Sequence, residues 1–126
     1  MALSFYRCDT CGNIVEKIVN GGGPLVCCGK PMTELTPNTT DAAVEKHVPA
    51  VEVKDGKVFV TVGSAVHPMT EAHYIEFIVL ETSCAIQRVM LTPADEPKAC
   101  FNLCCPEEEV KAVYAYCNLH GLWADK

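Results

Sequence analysis

The sequence predicts a mainly β protein, in which a small metal-binding domain is followed by a β-sandwich of about seven strands. The first observation behind this prediction is that four of the nine cysteines, but none of the four histidines, lie in the first 36 residues. A segment of that length cannot bury a self-sufficient core, so it needs a metal ion or a partner. The second observation is that the following residues form short apolar runs separated by Pro, Gly and Asp, a spacing typical of β-sandwiches.

Each strand of the sandwich is predicted from a local pattern. Residues 51–53 and 58–62 flank Asp55-Gly56, which is a strong signal for a two-residue hairpin turn. Residues 107–116 have some helical character, but their Tyr-Ala-Tyr-Cys ending favours a strand. A polar, turn-prone stretch at 36–40 predicts a linker, so the domains are expected to span residues 1–36 and 37–126. The remaining strands are expected at 74–80, 85–91, 99–103 and 110–116.

Composition and charge exclude several classes of protein. Hydrophobic residues make up 49% and charged residues 21% of the chain, which excludes a disordered or fibrous protein. A formal net charge of −6 would repel a phosphate backbone, so nucleic acid is not an expected partner. We expect no membrane partner either, since no apolar run approaches the ~20 residues of a membrane helix. No secretory signal is visible in the first residues, so the expected location is the cytoplasm, where cysteines serve as metal ligands more often than as disulfides.

The first candidate site consists of four cysteines. Cys8 and Cys11 stand at the spacing at which two thiolates face one ion, and the following glycine permits the necessary turn. Cys27 and Cys28 supply a second pair. Side chains of adjacent residues tend to point apart, so both can bind one ion only where the backbone bends. A tetrahedral set of four thiolates suits zinc or iron, and the spacing does not decide between them.

The second candidate site combines all four histidines with one cysteine. His47, His67, His73 and His120 are each expected at a strand end or in a loop, and His47 is expected to open the first strand. Cys117 precedes His120 by three residues, a spacing at which both side chains can bind the same metal ion. Five nitrogen and sulfur ligands exceed the tetrahedral set that zinc prefers. They form instead a square pyramid with one open position, in which an axial thiolate donates electron density to iron.

A blue-copper site is the competing interpretation, because those proteins are also β-sandwiches with His, Cys and His ligands and a weak axial methionine. No methionine follows His120, and the nearest alternative is Met69, beside His67. A cupredoxin-like electron-transfer protein is therefore kept as an alternative, as is a non-catalytic iron electron carrier built on the four cysteines. The histidine–cysteine set argues against a pure carrier, which needs no open coordination position.

Taken together, these residues resemble the desulfoferrodoxins, a family of two-iron superoxide reductases. The resemblance implies a desulforedoxin-type, rubredoxin-like iron domain over residues 1–36 and an immunoglobulin-like catalytic β-sandwich over residues 37–126. It also implies a homodimer. The resemblance is carried in the first domain by residues 8–16, 21–23 and 25–32, and in the second by residues 45–49, 62–64, 67–69, 73 and 116–121.

The same resemblance implies roles for individual residues. Four histidines would hold the second iron in its equatorial plane, with Cys117 as the axial ligand. Glu45 would ligate that iron after its oxidation, and Lys46 would attract superoxide and relay protons. The implied reaction is the one-electron reduction of superoxide to hydrogen peroxide, with rubredoxin or a similar carrier as the electron donor. The implied ligands are Cys8, Cys11, Cys27 and Cys28 for the first iron, and His47, His67, His73, His120 and Cys117 for the second.

Four further cysteines lie outside the family's ligand set, namely Cys84, Cys100, Cys104 and Cys105. We expect them to be buried strand thiols that act as small apolar residues. Oxidation of the Cys104-Cys105 pair, or a disulfide between strands, is disfavoured in a reducing cytosol.

Overall fold

The computed structural model describes residues 3–125. The chain divides between Thr36 and Pro37 into two compact units. Strands dominate both units, and all paired strands are antiparallel. Among the described residues, no helix is long and apolar enough to cross a membrane.

The first unit consists of two small sheets, each of which contains one cysteine-bearing turn. A three-stranded sheet has the order β2-β1-β5, and β3 pairs with β4 in a short hairpin. Cys8 and Cys11 lie in the turn after β1, while Cys27 and Cys28 lie at the turn of the hairpin. The strands are β1 (Phe5–Arg7), β2 (Ile14–Glu16), β3 (Val26–Cys27), β4 (Lys30–Pro31) and β5 (Thr33–Leu35).

The second unit is a sandwich of seven strands preceded by one helical turn. One sheet has three strands in the order β10-β7-β6, and the other has four in the order β12-β11-β8-β9. The elements are α1 (Val44–His47), β6 (Pro49–Lys54), β7 (Lys57–Val62), β8 (Ile75–Thr82), β9 (Ile86–Met90), β10 (Lys98–Asn102), β11 (Val110–Cys117) and β12 (Gly121–Asp125).

The core of the sandwich is formed by alternate residues of strands from both sheets. Strand β7 contributes three valines, because every second side chain of a strand faces the same side. Residues of β8 and β11 face them from the other sheet, and Cys117 is part of this buried cluster. The cluster consists of Val58, Val60, Val62, Ile75, Ile78, Leu80, Phe101, Val113, Ala115 and Cys117.

The predicted hairpin is confirmed by β6 and β7. Asp55 and Gly56 connect these strands with φ angles of 53° and 73°. Two consecutive positive φ angles are characteristic of the type I′ turn, whose twist matches that of the flanking strands. The predicted strands at 74–80, 85–91, 99–103 and 110–116 correspond to β8, β9, β10 and β11 within one or two residues. The sequence analysis missed β12, which begins at Gly121 and pairs with β11.

The prediction that His47 opens the first strand is wrong. His47 is the last residue of α1, and β6 begins two residues later at Pro49. The turn is closed by a hydrogen bond from the Val48 N–H to the Val44 carbonyl at 3.0 Å. It ends there because the residue before a proline is disfavoured in the helical conformation.

The strands of the sandwich define two ends, which matter for the sites described below. At the site end, β6, β8 and β12 begin, and β7 and β11 end. At the far end lie the β6–β7 turn, the β8–β9 turn and the loop between β10 and β11. Because the strands are antiparallel and in register, residues that are distant in sequence meet at each end.

Candidate metal centres

The structure brings together the four cysteines predicted in the first unit. The sulfur atoms of Cys8, Cys11, Cys27 and Cys28 all lie within 4.8 Å of one another. The Sγ atoms of Cys11 and Cys27 are 3.6 Å apart, and those of Cys27 and Cys28 are 4.0 Å apart. A tetrahedral ion with metal–sulfur bonds of about 2.3 Å separates its sulfurs by about 3.8 Å. The donor set therefore fits one tetrahedrally bound ion.

The sulfur atoms of the adjacent Cys27 and Cys28 reach the same point because the backbone bends at Cys28 and Gly29. Cys28 has a φ of 53° and Gly29 a φ of 74°, so both adopt the left-handed conformation. This bend turns two neighbouring side chains toward one point. The sequence analysis predicted it as the condition for two adjacent cysteines to bind one ion. Around the first pair, the Cys11 backbone N–H donates to the Cys8 sulfur at 3.4 Å. The Asn13 side-chain amide donates to the Cys27 sulfur at 3.6 Å.

The protonation of these thiols depends on their mutual proximity. The pKa of Cys8 is lowered to about 6, mainly because the Cys11 backbone N–H donates to its sulfur. The pKa of Cys28 is raised to about 12 by the hydrogen-bonded thiols of Cys11 and Cys8 beside it. Four sulfurs this close cannot all be ionised without a compensating cation. Such a cluster of coupled thiols is what a metal ion with four thiolate ligands requires.

The four histidines form a square at the site end of the sandwich. Consecutive ring centroids are 4.7 Å apart for His47 and His67, 4.6 Å for His67 and His73, 5.0 Å for His73 and His120, and 4.9 Å for His120 and His47. The diagonal between His47 and His73 is longer, at 6.3 Å. Neighbouring rings are nearly perpendicular, with interplanar angles of 77° to 88°.

Hydrogen bonds to backbone carbonyls orient two of the rings. The Nδ1 atoms of His47 and His67 donate to the carbonyls of Ala43 and Pro68, both at 2.7 Å. A carbonyl can only accept, so each Nδ1 carries the proton and each Nε2 keeps a lone pair. These two Nε2 atoms are 3.2 Å apart. Such a contact between two acceptors is stable only where a cation lies between them.

The other two rings complete the set with different nitrogens. His120 places its Nδ1 atom 3.1 Å from the Nε2 atom of His47. The Nε2 atom of His73 is buried, and no hydrogen bond to it is found among the described residues. An orphaned nitrogen inside a ring of imidazoles costs free energy unless it binds something. Neighbouring ligand nitrogens bound at about 2.1 Å lie about 3 Å apart when they are at right angles, which fits the measured separations.

Cys117 brings its sulfur to the square from the core. The residue is fully buried, and its Sγ atom lies 3.9 Å from Nδ1 of His120. It also lies within 4.8 Å of the ligand atoms of His47, His67 and His73. Burial raises the pKa of its thiol, so a nearby cation is needed to keep a thiolate there. The site thus has the square of nitrogens and the buried sulfur that the sequence analysis predicted.

Burial also keeps the imidazoles neutral. The pKa of His67 is lowered to about 4, chiefly by desolvation, and those of His47 and His73 are lowered for the same reason. The proximity of the other rings lowers these pKa values further, since like charges would repel. Neutral imidazole is the form that binds a metal ion, so the apolar surroundings prepare the rings as ligands.

Comparisons with known proteins agree with this geometry. A family model described as the N-terminal domain of desulfoferrodoxin matches residues 2–35, and one described as desulfoferrodoxin matches residues 39–126. The chain belongs to the desulfoferrodoxin family. A desulfoferrodoxin of Syntrophotalea carbinolica is 49% identical over 124 residues, covering 98% of this chain and 96% of the relative.

Solved structures of similar proteins support the same assignment. The crystal structure of the superoxide reductase from Treponema pallidum is 36% identical, covers 100% of both chains and has a TM-score of 0.82. The one-iron superoxide reductase of Giardia intestinalis is 35% identical, with a TM-score of 0.56 over 64% of this chain and 95% of its own. The predicted family and the predicted fold class are therefore confirmed.

Two residues that the sequence analysis did not single out support the second desulfoferrodoxin site. Trp123 stacks on the ring of His47 with a centroid distance of 4.8 Å, and its indole N–H donates to the His120 carbonyl at 3.0 Å. The Asn118 side chain accepts from the Tyr74 N–H at 2.9 Å and donates to the Ala72 carbonyl at 3.1 Å. It thereby ties the segment of His73 to the turn after Cys117. The position of Asn118 between two ligands was the signal available in the sequence.

Lys46 and Glu45 lie on the exposed side of α1. The positive charge of Lys46 contributes to the lowered pKa values of both His47 and His73, because it disfavours a second positive charge on either ring. Glu45 has the opposite electrostatic effect on His47. Neither residue belongs to the groups of potential metal ligands found among the described residues.

Gly63 fixes the position of α1, which carries His47. A Cβ atom at this residue would lie 2.6 Å from the carbonyl oxygen of Glu45 and 2.9 Å from that of Val48. The Glu45 carbonyl also accepts a hydrogen bond from the Ala65 N–H at 2.8 Å. The segment after β7 therefore packs directly against the backbone of α1, which a side chain would prevent.

The expectation that the four additional cysteines are buried is wrong. Cys84, Cys100, Cys104 and Cys105 are all exposed free thiols. Cys100 lies on the outer face of β10, where it pairs in register with Phe59 of β7. The other three lie in turns and loops at the far end, where the chain leaves the core.

Proposed function

We propose that this chain reduces superoxide to hydrogen peroxide at the histidine–cysteine site. The observation that carries the proposal is the square of four imidazoles with a buried thiol behind it, in a chain of the desulfoferrodoxin family. Relatives of similar sequence and structure are named superoxide reductases. The reaction takes one electron and two protons for each superoxide anion and releases no oxygen.

Two irons per chain accompany this activity, one for each donor set. Cys8, Cys11, Cys27 and Cys28 hold the first, and the four histidines with Cys117 hold the second. When bound, the iron of the second site supplies the single electron and accepts it back from a donor. With iron bound, the buried thiolate of Cys117 would donate electron density to it from the core side of the sandwich.

Lys46 serves to bring superoxide to this site. The chain carries a formal net charge of −6, which repels an anion at long range. The Lys46 ammonium lies on the exposed face of α1, and its charge contributes to the lowered pKa values of two ring ligands. A local positive charge at the opening of a site raises the rate of anion capture despite the overall charge.

Two further roles, the supply of protons and the ligation of the oxidised site, belong to residues of α1. Lys46, or water that it orders, would supply protons to the reduced oxygen, since it is an exposed cation on the helical turn that ends with the ligand His47. Glu45 precedes it on the exposed face of α1, and its carboxylate would supply an additional oxygen ligand to the oxidised metal at the second site.

The test compares two lysines that carry the same charge. Lys46→Met should slow the second-order reaction with superoxide by roughly one to two orders of magnitude. Lys54→Met changes the net charge equally, but Lys54 is exposed at the far end and its loss should leave the rate nearly unchanged. The wild-type rate should fall as salt is added, because charges are screened over about 10 Å at 0.1 M ionic strength.

Pulse radiolysis of both variants across a salt series measures these rates directly. Lys46→Arg should retain most of the rate, because a point charge is sufficient for attraction. Equal rates and equal salt slopes for the Lys46→Met variant and the wild type would remove Lys46 from the mechanism. Equal slowing by both methionine variants would show that only the overall charge matters.

A rubredoxin-type carrier is the proposed electron donor. Three exposed apolar side chains lie beside ligand-bearing segments: Val44 on α1, Val66 before His67, and Leu119 before His120, with exposures of 59%, 63% and 59%. Electron-transfer partners use small, weakly bound interfaces of this kind. Val44→Gln should slow reduction by rubredoxin and leave the reaction with superoxide unchanged. If rubredoxin reduces the Val44→Gln variant and the wild type at equal rates, the donor binds at another surface.

A homodimer in the cytoplasm is the proposed state of the chain. The first unit exposes Ile18, Val19 and Val26 to 75%, 80% and 58%, and such side chains favour burial against a second copy. All nine cysteines are free thiols, which suits a reducing compartment. Light scattering of the wild type and of Val19→Glu tests the dimer, which should weaken in the variant.

A further inference from the structure

Three exposed cysteines gather at the far end of the sandwich, opposite the end that carries the histidine square. Cys84 lies in the β8–β9 turn, and Cys104 and Cys105 lie in the loop between β10 and β11. The eight residues of β8, extending over about 26 Å, separate this end from the histidine square. Neither proposed iron site uses these thiols.

Hydrogen bonds hold the turn and the loop side by side. The Ser83 N–H donates to the Glu109 carbonyl at 2.8 Å, and the Glu109 N–H donates to the Ser83 hydroxyl at 3.0 Å. This reciprocal pair fixes the residue before Cys84 against the segment that follows Cys105. The two cysteine-bearing segments are therefore neighbours in the folded chain, although they are far apart in sequence.

The carboxylate of Glu108 connects the same two segments. Glu108 is only 6% exposed, and its carboxylate accepts from the Thr82 hydroxyl and from the Cys104 N–H, the latter at 2.6 Å. The Cys84 N–H donates to the same Thr82 hydroxyl at 3.3 Å, and the Glu108 N–H donates to the Cys105 carbonyl at 3.1 Å. The two donors on the carboxylate compensate the burial of a charged group, which would otherwise be costly. Glu108 and Thr82 thus join the backbone of Cys84 to that of Cys104 and Cys105.

The two thiols differ in their environment. Burial and the Glu108 carboxylate raise the pKa of Cys84, so this thiol stays protonated with a proton acceptor beside it. Cys105 follows Cys104, whose N–H is held by the Glu108 carboxylate, and the Cys84 N–H donates to the Thr82 hydroxyl that bonds the same carboxylate, so both thiols project from segments joined at Glu108. An exposed thiol beside a second thiol that has its own proton acceptor is the arrangement of an attacking and a resolving cysteine.

We propose that Cys105 and Cys84 form a disulfide when hydrogen peroxide accumulates. The Cys105 thiol attacks peroxide, the O–O bond breaks, and a sulfenic acid and one water result. The Cys84 sulfur then attacks the sulfenic sulfur, forming the S–S bond and breaking the S–O bond. The leaving hydroxide becomes water with the proton that Cys84 gives up through Glu108. Two thiols are oxidised and one peroxide is reduced to two waters.

The oxidant is the product of the reaction proposed above, so the pair would record how fast the chain turns over. Exposed thiols on a chain that releases peroxide are open to oxidation when cellular reductants fall behind. The inference goes beyond the proposed function, and added peroxide tests it independently of that function. It assigns a modification site to cysteines that the two metal centres leave unused.

Peptide mapping of the full iron-loaded chain distinguishes the possible disulfides. Trypsin cleaves after Lys57, Arg88, Lys98 and Lys111, so Cys84 lies in peptide 58–88, and Cys100, Cys104 and Cys105 share peptide 99–111. After peroxide treatment and alkylation of the remaining thiols in denaturant, the two peptides should be cross-linked. Fragmentation of the cross-linked pair should place the bond at Cys105.

Matched variants make the outcome decisive. Cys105→Ser and Cys84→Ser should abolish the cross-link, whereas Cys104→Ser and Cys100→Ser should retain it. Glu108→Gln should slow its formation by about a hundredfold, the lower range for a positioned proton acceptor. Glu107→Gln, at the exposed neighbouring position, should have no effect. Circular dichroism checks that each variant is folded.

Several results would overturn the proposal. A disulfide confined to peptide 99–111 would mean that Cys104 and Cys105 pair with each other instead. Retention of the cross-link in Cys105→Ser would assign it to another thiol. Oxidation of single thiols to sulfinic or sulfonic acid, without any cross-link, would show that the two sulfurs do not meet.

Discussion

Replacing Gly63 with alanine tests how the fold positions the ligands of the second site. The added Cβ would lie 2.6 Å from the Glu45 carbonyl oxygen and 2.9 Å from that of Val48. Carbon and oxygen atoms in close contact are about 3.3 Å apart, so the backbone of α1 must retreat by about 0.7 Å. Both contacts are with backbone atoms, which cannot turn aside as a flexible side chain would. His47 lies on the displaced turn, between these two carbonyls in sequence.

We expect the displacement to affect the site more than the fold. Overpacking of this kind costs about 1–3 kcal/mol of unfolding free energy, which a sandwich with an intact core tolerates. Metal ligands, however, must be held within about 0.5 Å of their working positions. The rate of superoxide reduction should therefore fall by about a hundredfold, and the iron content of the second site should fall with it.

The measurements are iron content per chain, the melting temperature and the superoxide rate by pulse radiolysis. Gly21→Ala is the matched control, because a Cβ at Gly21 meets no atom within 4 Å. It should leave all three quantities unchanged. Full iron loading and a wild-type rate in Gly63→Ala would refute the reasoning, because they would show that α1 can move without disturbing His47.

Three further predictions concern the two metal centres. Cys28→Ser should remove the red absorption of the Fe(Cys)₄ centre and destabilise the first unit, because metal binding there contributes to folding. Superoxide reduction with an artificial electron donor should be largely preserved. Equal loss of both irons would contradict two independent sites. Cys117→Ser should abolish the long-wavelength ferric absorption and most of the activity; persistence of the band would exclude Cys117 as a ligand. In the iron-free chain, the unfolded state takes up a proton at His67 near pH 6.5, and the folded state only near 4. Stability in urea should thus fall as the pH is lowered between these values, and a flat profile would contradict this.

The features that the sequence predicted well depend on neighbouring residues. The turn at Asp55-Gly56 needs two positive φ angles, and these residue types adopt them at little cost. The bend at Cys28 was required as soon as two adjacent cysteines were assigned to one ion. Both predictions rest on the chemistry of two or three consecutive residues, and tertiary contacts did not override them.

The features that the sequence did not predict depend on contacts between distant segments. His47 lies on a helical turn because the backbone of α1 packs against Gly63, which is sixteen residues away. Trp123 supports the same histidine from β12, a strand that the local pattern was too short to reveal. Cys84 and Cys105 are exposed because β8 and β10 end before them. The sequence predicted those strand ends only to within one or two residues.

The register of the core strands also determines where the sulfur ligand lies. Val113, Ala115 and Cys117 occupy alternate positions of β11 and belong to the same buried cluster. A slip of one residue would turn all three to the opposite face of the sheet, and Cys117 would then point away from the histidines. Pairing of Cys117 with Ile75 and with Gly121 holds it between β8, which begins two residues after His73, and β12, which begins directly after His120. The apolar residues of β11 therefore fix the ligand geometry as directly as the histidines do, since burying them is what turns the sulfur toward the square.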